Sequence, residues 1–150
     1  METVDFLDQM ECLEVLGGVP LFAGLAVDEL ESIAEVTSLR SEPHGEIVFA
    51  QGDPGSEMLV VVEGSVEIIH RGSADGPMAV LGPGEVVGEL AILRSSERSA
   101  DVVAGPEGVT GLVIDSTMLG HILQERPQIA LAMLAALAEK LAAASTEQPH

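Results

Sequence analysis

Across residues 37–115, short stretches rich in Val and Ile are cut again and again by Gly, Pro or Asp: EIVFA, EMLVVVE, SVEIIHR, PMAVL, EVV, SADVVA, VTGLVID. An α-helix does not survive that punctuation, whereas short strands joined by tight turns require it. The glycines at 45, 52, 64, 72, 76, 82, 84, 88, 105 and 108 fall between the runs, where turns need positive φ. The pattern predicts a mainly β fold, an eight-stranded jelly roll (β-roll) flanked by N-terminal and C-terminal α-helices.

Helical patterns stand on both sides of this region. Val4, Leu7, Met10, Leu13 and Leu16 keep a helical period until Gly17 and Gly18 break it, and after Pro20 a second helix is expected through Leu25, Leu30, Ile33 and Val36. Ser116 is placed to cap the segment STMLGHILQER, which Pro127 ends, and Pro127 can then open a last helix. Ile129, Leu131, Met133, Leu134, Leu137 and Leu141 do not fit one narrow stripe, so that helix has more than one surface to cover. The expected layout is one domain in three parts. Residues 1–20 form an N-terminal helix, 21–126 a β-roll with flanking helices, and 127–150 a C-terminal lid or dimer helix with a polar tail. A homodimer through this last helix is expected.

Composition excludes several function classes. Phe6, Phe22 and Phe49 are the only aromatics, so the core is aliphatic and base stacking on an aromatic platform is unavailable. Six Lys and Arg stand against 25 Asp and Glu, a formal charge of −19. Phosphate backbones bind by releasing counterions to clustered cations, so neither nucleic acid nor an anionic membrane surface is an expected partner. Cys12 is the only cysteine, which rules out an intrachain disulfide, and its apolar helix face suits an inert, buried thiol. No basic, apolar leader opens the chain, and the longest unbroken apolar run is the ten residues 129–138; a cytoplasmic protein is expected. His44, His70, His121 and His150 are too scattered for metal-ligand spacing, and no GxSxG elbow occurs. No metal, cofactor or catalytic residue is expected, and the chain reads as a non-enzyme.

Residues 84–100, GEVVGELAILRSSERSA, carry the chemistry. Free N–H groups at the start of a short helix can hold one phosphate, and Gly88 lets a ligand approach the backbone closely. Arg98 adds a permanently charged fork suited to two phosphate oxygens. Glu89 is out of place beside an anion unless it accepts from a sugar hydroxyl. Together they predict a pocket for a nucleotide with one phosphate charge. Each residue also has a plainer reading: Arg98 as a strand residue paired with Glu97 or Glu89, Ser99 as a sheet-face hydroxyl, Val66 and Met78 as core.

The segment resembles the phosphate-binding cassette of cyclic nucleotide-binding domains, which occur in catabolite activator-like regulators, kinase regulatory subunits and cyclic nucleotide-gated channels. The resemblance spans about residues 21–141. It takes in Gly45, the Gly52-Asp53 turn, the Glu63-Gly64-Ser65-Val66 junction and the Pro83-Gly84-Glu85 turn. Its most specific part is Gly88-Glu89-Leu90-Ala91 with Arg98-Ser99-Ala100. The resemblance implies that Gly88 and the backbone of Leu90 and Ala91 hold the exocyclic phosphate oxygens while Arg98 pairs the phosphate. Glu89 would accept the ribose 2′-hydroxyl, and Ser99 would reach the phosphate or a purine edge. Val66, Met78 and Val87 would form the apolar wall beside the base. That wall offers guanine O6 no donor, so the implied ligand is cAMP more than cGMP. Nine residues follow Leu141, and the expectation is a sensor without an attached DNA-binding domain, acting through an effector protein or a second copy. The competing expectation is a ligand-free interaction or scaffold domain that retains the fold.

Overall fold

The computed structural model describes residues 9–54, 56–72, 75–89 and 97–147. Helix α1 (Gln9–Gly17), a 3-10 turn (Pro20–Phe22) and helix α2 (Val27–Glu35) lead into the strands. These are β1 (Thr37–Glu42), β2 (Ile47–Phe49), β3 (Glu57–Ile69), β4 (Ala79–Leu81), β5 (Val86–Val87) and β6 (Asp101–Asp115), followed by α3 (Ser116–Glu125) and α4 (Pro127–Glu147). All pairings are antiparallel, in the order β1-β6-β3-β4, with β2 added on β6 and β5 on β3.

Six strands are present among the described residues where eight were expected, and the glycines explain the difference. EMLVVVE and SVEIIHR both fall in β3, SADVVA and VTGLVID both in β6, and TSLRSE, too polar to register as an apolar run, forms β1. Gly64 bends β3 without ending it: its φ is +78°, and the register against β6 shifts between Gly64 and Val66. A Cβ there would run into the carbonyl oxygen of Gly108, so glycine is what allows the two strands to stay paired through the bend.

Strand alternation divides the core in two. Met58 and Val60 of β3 and Leu112 and Ile114 of β6 face the helices, where they meet Leu16, Phe22, Ile33, Leu119 and Ile129. Leu59 and Val61 of β3 and Val109 and Val113 of β6 face the interior of the roll with Phe49, Val66, Val87 and Val102. These halves of β3 and β6 are covered on both sides, and the sequence there is apolar without alternation for that reason. Cys12 is half-buried against the helical core, and burial pushes its thiol up from the ordinary value.

Helix starts differ in detail from expectation. Leu25 precedes α2, whose first N–H group, from Ala26, is met by the Glu29 carboxylate at 2.9 Å. Asp115, not Ser116, sits at the start of α3 and makes no side-chain cap; the Ser116 N–H donates to the Ser56 carbonyl at 2.7 Å. Pro127 opens α4 as expected. Two ion pairs fasten the ends of elements. Arg126 pairs with Asp28 at 2.7 Å, tying the α3–α4 joint to α2, and Arg71 pairs with Asp101 at 3.0 Å at the start of β6. The arginines hold both carboxyls below the usual range.

Helix α4 has three faces. Ile129 and Met133 are buried and Leu137 packs on the same core. Ala132, Ala136 and Lys140 line a groove of about 600 Å³ against Pro20, Ala23 and Gly24 of the 3-10 turn region. Leu131, Leu134 and Leu141 point outward, each more than 60% exposed. Counting only the unbroken run understates this helix: over Pro127–Ala144 it is long and apolar enough to cross a membrane by length and composition, although Ile129 and Met133 in that stretch sit in the core.

Candidate functional site

Arg98 is held from several directions. Its backbone is clamped by the Gly52-Asp53 turn, the Arg98 N–H donating to the Asp53 carbonyl at 2.7 Å and the Gly52 N–H to the Arg98 carbonyl at 2.9 Å. Its guanidinium lies 4.0 Å from the centroid of the Phe49 ring and donates through Nη2 to the Glu57 carbonyl. Gly88, at φ +79°, is the floor under it: a Cβ at that position would come 2.6 Å from Arg98 Nη1 and 3.1 Å from the Glu57 carbonyl oxygen. Gly88 therefore seats the arginine.

Arg98 is only 8% exposed, and among the described residues its buried Nε has no hydrogen-bond partner. Burial pulls Arg98 below its ordinary range, and the charges of Glu57 and Asp53 oppose that shift. A guanidinium stays charged under all these conditions. A buried cation with an unspent donor calls for an anion, because an unmet buried polar group costs about 1–3 kcal/mol. The plainer reading, pairing with Glu89, does not hold, since that carboxylate is engaged elsewhere.

Glu89 joins three parts of the chain. Its Oε2 accepts the Leu21 N–H of the 3-10 turn at 3.0 Å, and its Oε1 accepts Lys140 Nζ from α4. The side chain is 11% exposed. It stands next to Gly88, as the sequence required, but both oxygens have protein partners.

Of the three residues expected to wall the base, two lie together. Val66 and Val87 are buried together in the roll core with Leu59, Val61 and Phe49. Met78 is not with them: it is 64% exposed, on the opposite face of the β4 edge from Leu81, which pairs with Val66. Alternation puts residues 78 and 80 on one face and 81 on the other, so Met78 is not part of the roll core. Ser99 is exposed beside the buried Arg98. Leu90 and Ala91 lie outside the described residues. Phe49, the Glu57 carbonyl and the Lys140 partner of Glu89 were not anticipated. Phe49 carried a signal, being one of three aromatics in the chain. Among the described residues, no group of three or more His, Cys, Asp or Glu is placed to hold a metal ion.

Residues 39–126 match the model of the cyclic nucleotide-binding domain family. The chain is 34% identical over 132 residues to the cyclic AMP receptor protein of Thermus thermophilus, covering 87% of this chain and 61% of that protein. It is 39% identical over 89 residues to the cAMP-dependent protein kinase regulatory subunit of Mycosarcoma maydis, covering 57% of this chain and 17% of that one. The chain thus spans less than two thirds of the length of these curated relatives. Among solved structures, the N-terminal domain of a transcriptional regulator from Streptomyces coelicolor superposes with a TM-score of 0.80 at 34% identity, covering 91% of this chain and 98% of that one. A buried arginine seated on a cassette glycine, a bent β-roll and these likenesses agree: the chain belongs to the cyclic nucleotide-binding domain family.

Proposed function

We propose that this chain is a sensor module for a 3′,5′-cyclic purine nucleotide, with cAMP preferred to cGMP, that passes its signal to an effector protein or to a second copy of itself. The observation that carries the reading is Arg98, a buried cation whose Nε has no partner among the described residues, seated against Gly88. One anionic group of small size answers both. The names of the relatives, a cyclic AMP receptor protein and a cAMP-dependent kinase regulatory subunit, support the adenine form. Val66 and Val87 supply no donor for guanine O6, and an unmet guanine carbonyl costs about 1–3 kcal/mol, which corresponds to a preference for cAMP of about ten-fold or more. Parallel calorimetric titrations of cAMP and cGMP on the wild type and Ser99→Ala test this. Expected are binding of both, tighter for cAMP. A cGMP preference that vanishes in Ser99→Ala would assign base reading to that hydroxyl and reverse the choice of ligand. Binding of neither would leave the interaction-domain reading.

The dimer proposal rests on the outer face of α4. Leu131, Leu134, Ala138 and Leu141 alternate at spacings of three and four, and all four are exposed. That spacing is the seam of a two-helix coiled coil, and hiding it against a copy of itself satisfies the surface that the roll leaves uncovered. Sedimentation at micromolar concentration should give a dimer for the wild type and a monomer for Leu134→Glu. A wild-type monomer with and without nucleotide would overturn the assignment.

A further inference from the structure

The strand register draws a surface on the outside of the roll. Ile47 of β2 stands opposite Val103 of β6, Val103 opposite Glu67 of β3, and Glu67 opposite Val80 of β4. Residues directly opposite in an antiparallel ladder share a face, so the four form one row across the sheet. Their chain neighbours Val66, Ile68 and Val102 pack in the roll core, which puts the row on the outer face. Ile47 is 48% exposed and Val80 is 59% exposed, and alternation adds the exposed Met78 beside Val80. We propose that this outer face docks a basic, amphipathic segment of a partner protein. Glu67 receives a lysine or arginine at the centre of the row, and Ile47, Val103 and Val80 receive the apolar residues around it.

Charge selects what covers the row. Glu67 is half-buried, and among the described residues its carboxylate has no hydrogen bond or ion pair. Covering the apolar side chains also strips that carboxylate of water, which is costly unless a cation arrives with the cover. The chain has no described cation to spare: Arg40, Arg71, Arg126 and Lys140 are paired with Glu42, Asp101, Asp28 and Glu89, and Arg98 is buried. A second copy would bring one Glu67 towards another and add a formal charge of −19 to an equal one. An anionic lipid surface would meet the carboxylate with phosphate. A basic segment of a different protein answers both the carboxylate and the apolar row. The face is the reverse of the one that carries Val66, so the inference goes beyond the sensor reading and does not depend on it.

The probe is a fluorescently labelled amphipathic peptide of leucine and lysine, LKKLLKLLKKLLKL, read by anisotropy against a control in which serine replaces every leucine. Wild type should bind the leucine peptide about 10-fold more tightly than the control, since the control keeps the charge and loses the apolar face. Glu67→Lys should weaken the leucine peptide by about 10-fold or more, while Glu35→Lys, an equal change of charge at the exposed end of α2, should weaken it by about 3-fold or less. Ile47→Ser and Val80→Ser, which leave the charge unchanged, should each cost about 3- to 10-fold. Equal binding of the two peptides, or equal effects of Glu67→Lys and Glu35→Lys, would overturn the docking surface and leave the nucleotide reading to its own titration. Loss of the peptide in Leu134→Glu but not in Val80→Ser would place it on α4 and overturn the surface as well. If the expected differences hold while wild type binds no cyclic nucleotide, the docking surface stands and the nucleotide reading fails.

Discussion

Arg98→Ala is expected to weaken cAMP binding by about 30- to 1000-fold, or about 2–4 kcal/mol, while leaving the folded protein intact. The two halves of this expectation have one cause. Arg98 is buried with an Nε that is unpartnered among the described residues, so without nucleotide it is a cation taken from water and incompletely repaid by the Glu57 carbonyl and the Phe49 ring. Removing a group in that state costs the protein little stability, because the desolvation penalty goes with it. The nucleotide, by contrast, loses a charge-assisted contact to a buried cation. Arg98→Lys should recover only part of the affinity, since an ammonium cannot reproduce the planar fork or its stacking on Phe49. Calorimetric titration and urea unfolding of the same samples separate the effects. Undiminished binding by Arg98→Ala would move the phosphate away from this residue.

Gly64→Ala should be the most damaging small substitution in the roll. At φ +78° a left-handed conformation costs an alanine about 1–2 kcal/mol. The added Cβ would also strike the Gly108 carbonyl and come 3.1 Å from the Val109 Cα, both backbone atoms that cannot swing aside. Overpacking of that kind adds about 1–3 kcal/mol. A combined loss of about 2–5 kcal/mol is a large share of the total stability of a small domain. Urea unfolding should show a sharply lowered midpoint, whereas Gly24→Ala, where nothing lies within 4 Å of the added Cβ and φ is ordinary, should be close to wild type. Equal midpoints for the two variants would remove the close approach from the explanation of the bend.

Legibility in the sequence followed the range of the interactions. Local signals gave the helices, the β texture and the glycine-arginine pair of the site, because turn chemistry and helix period are set within a few residues. Strand number was misread where a glycine bends a strand: Gly64 looks the same in sequence whether the chain turns back or only kinks. Met78 was open to a reading as core because its face depends on the register of β4 against β3, and one step of alternation separates inside from outside. The partners of Glu89 were invisible for a different reason. Leu21 lies 68 positions away and Lys140 lies 51 away, and no local pattern announces either contact.

The ribbon of β3 and β6 also sets the order of assembly. Glu57 pairs with Asp115, Val66 with Ala104 and Ile69 with Asp101, partners roughly thirty to sixty positions apart, so a long loop must close before the ladder returns its hydrogen bonds. High contact order of this kind makes folding slow. Gly88, Glu89 and Arg98 all lie inside that loop, and the Glu57 carbonyl that steadies Arg98 belongs to the ribbon itself. These three residues have no frame to stand on until the ribbon has shut, which makes them a late-forming part of the molecule. The same placement separates evolutionary freedoms, since residues of the loop can change without disturbing the ladder that carries the fold.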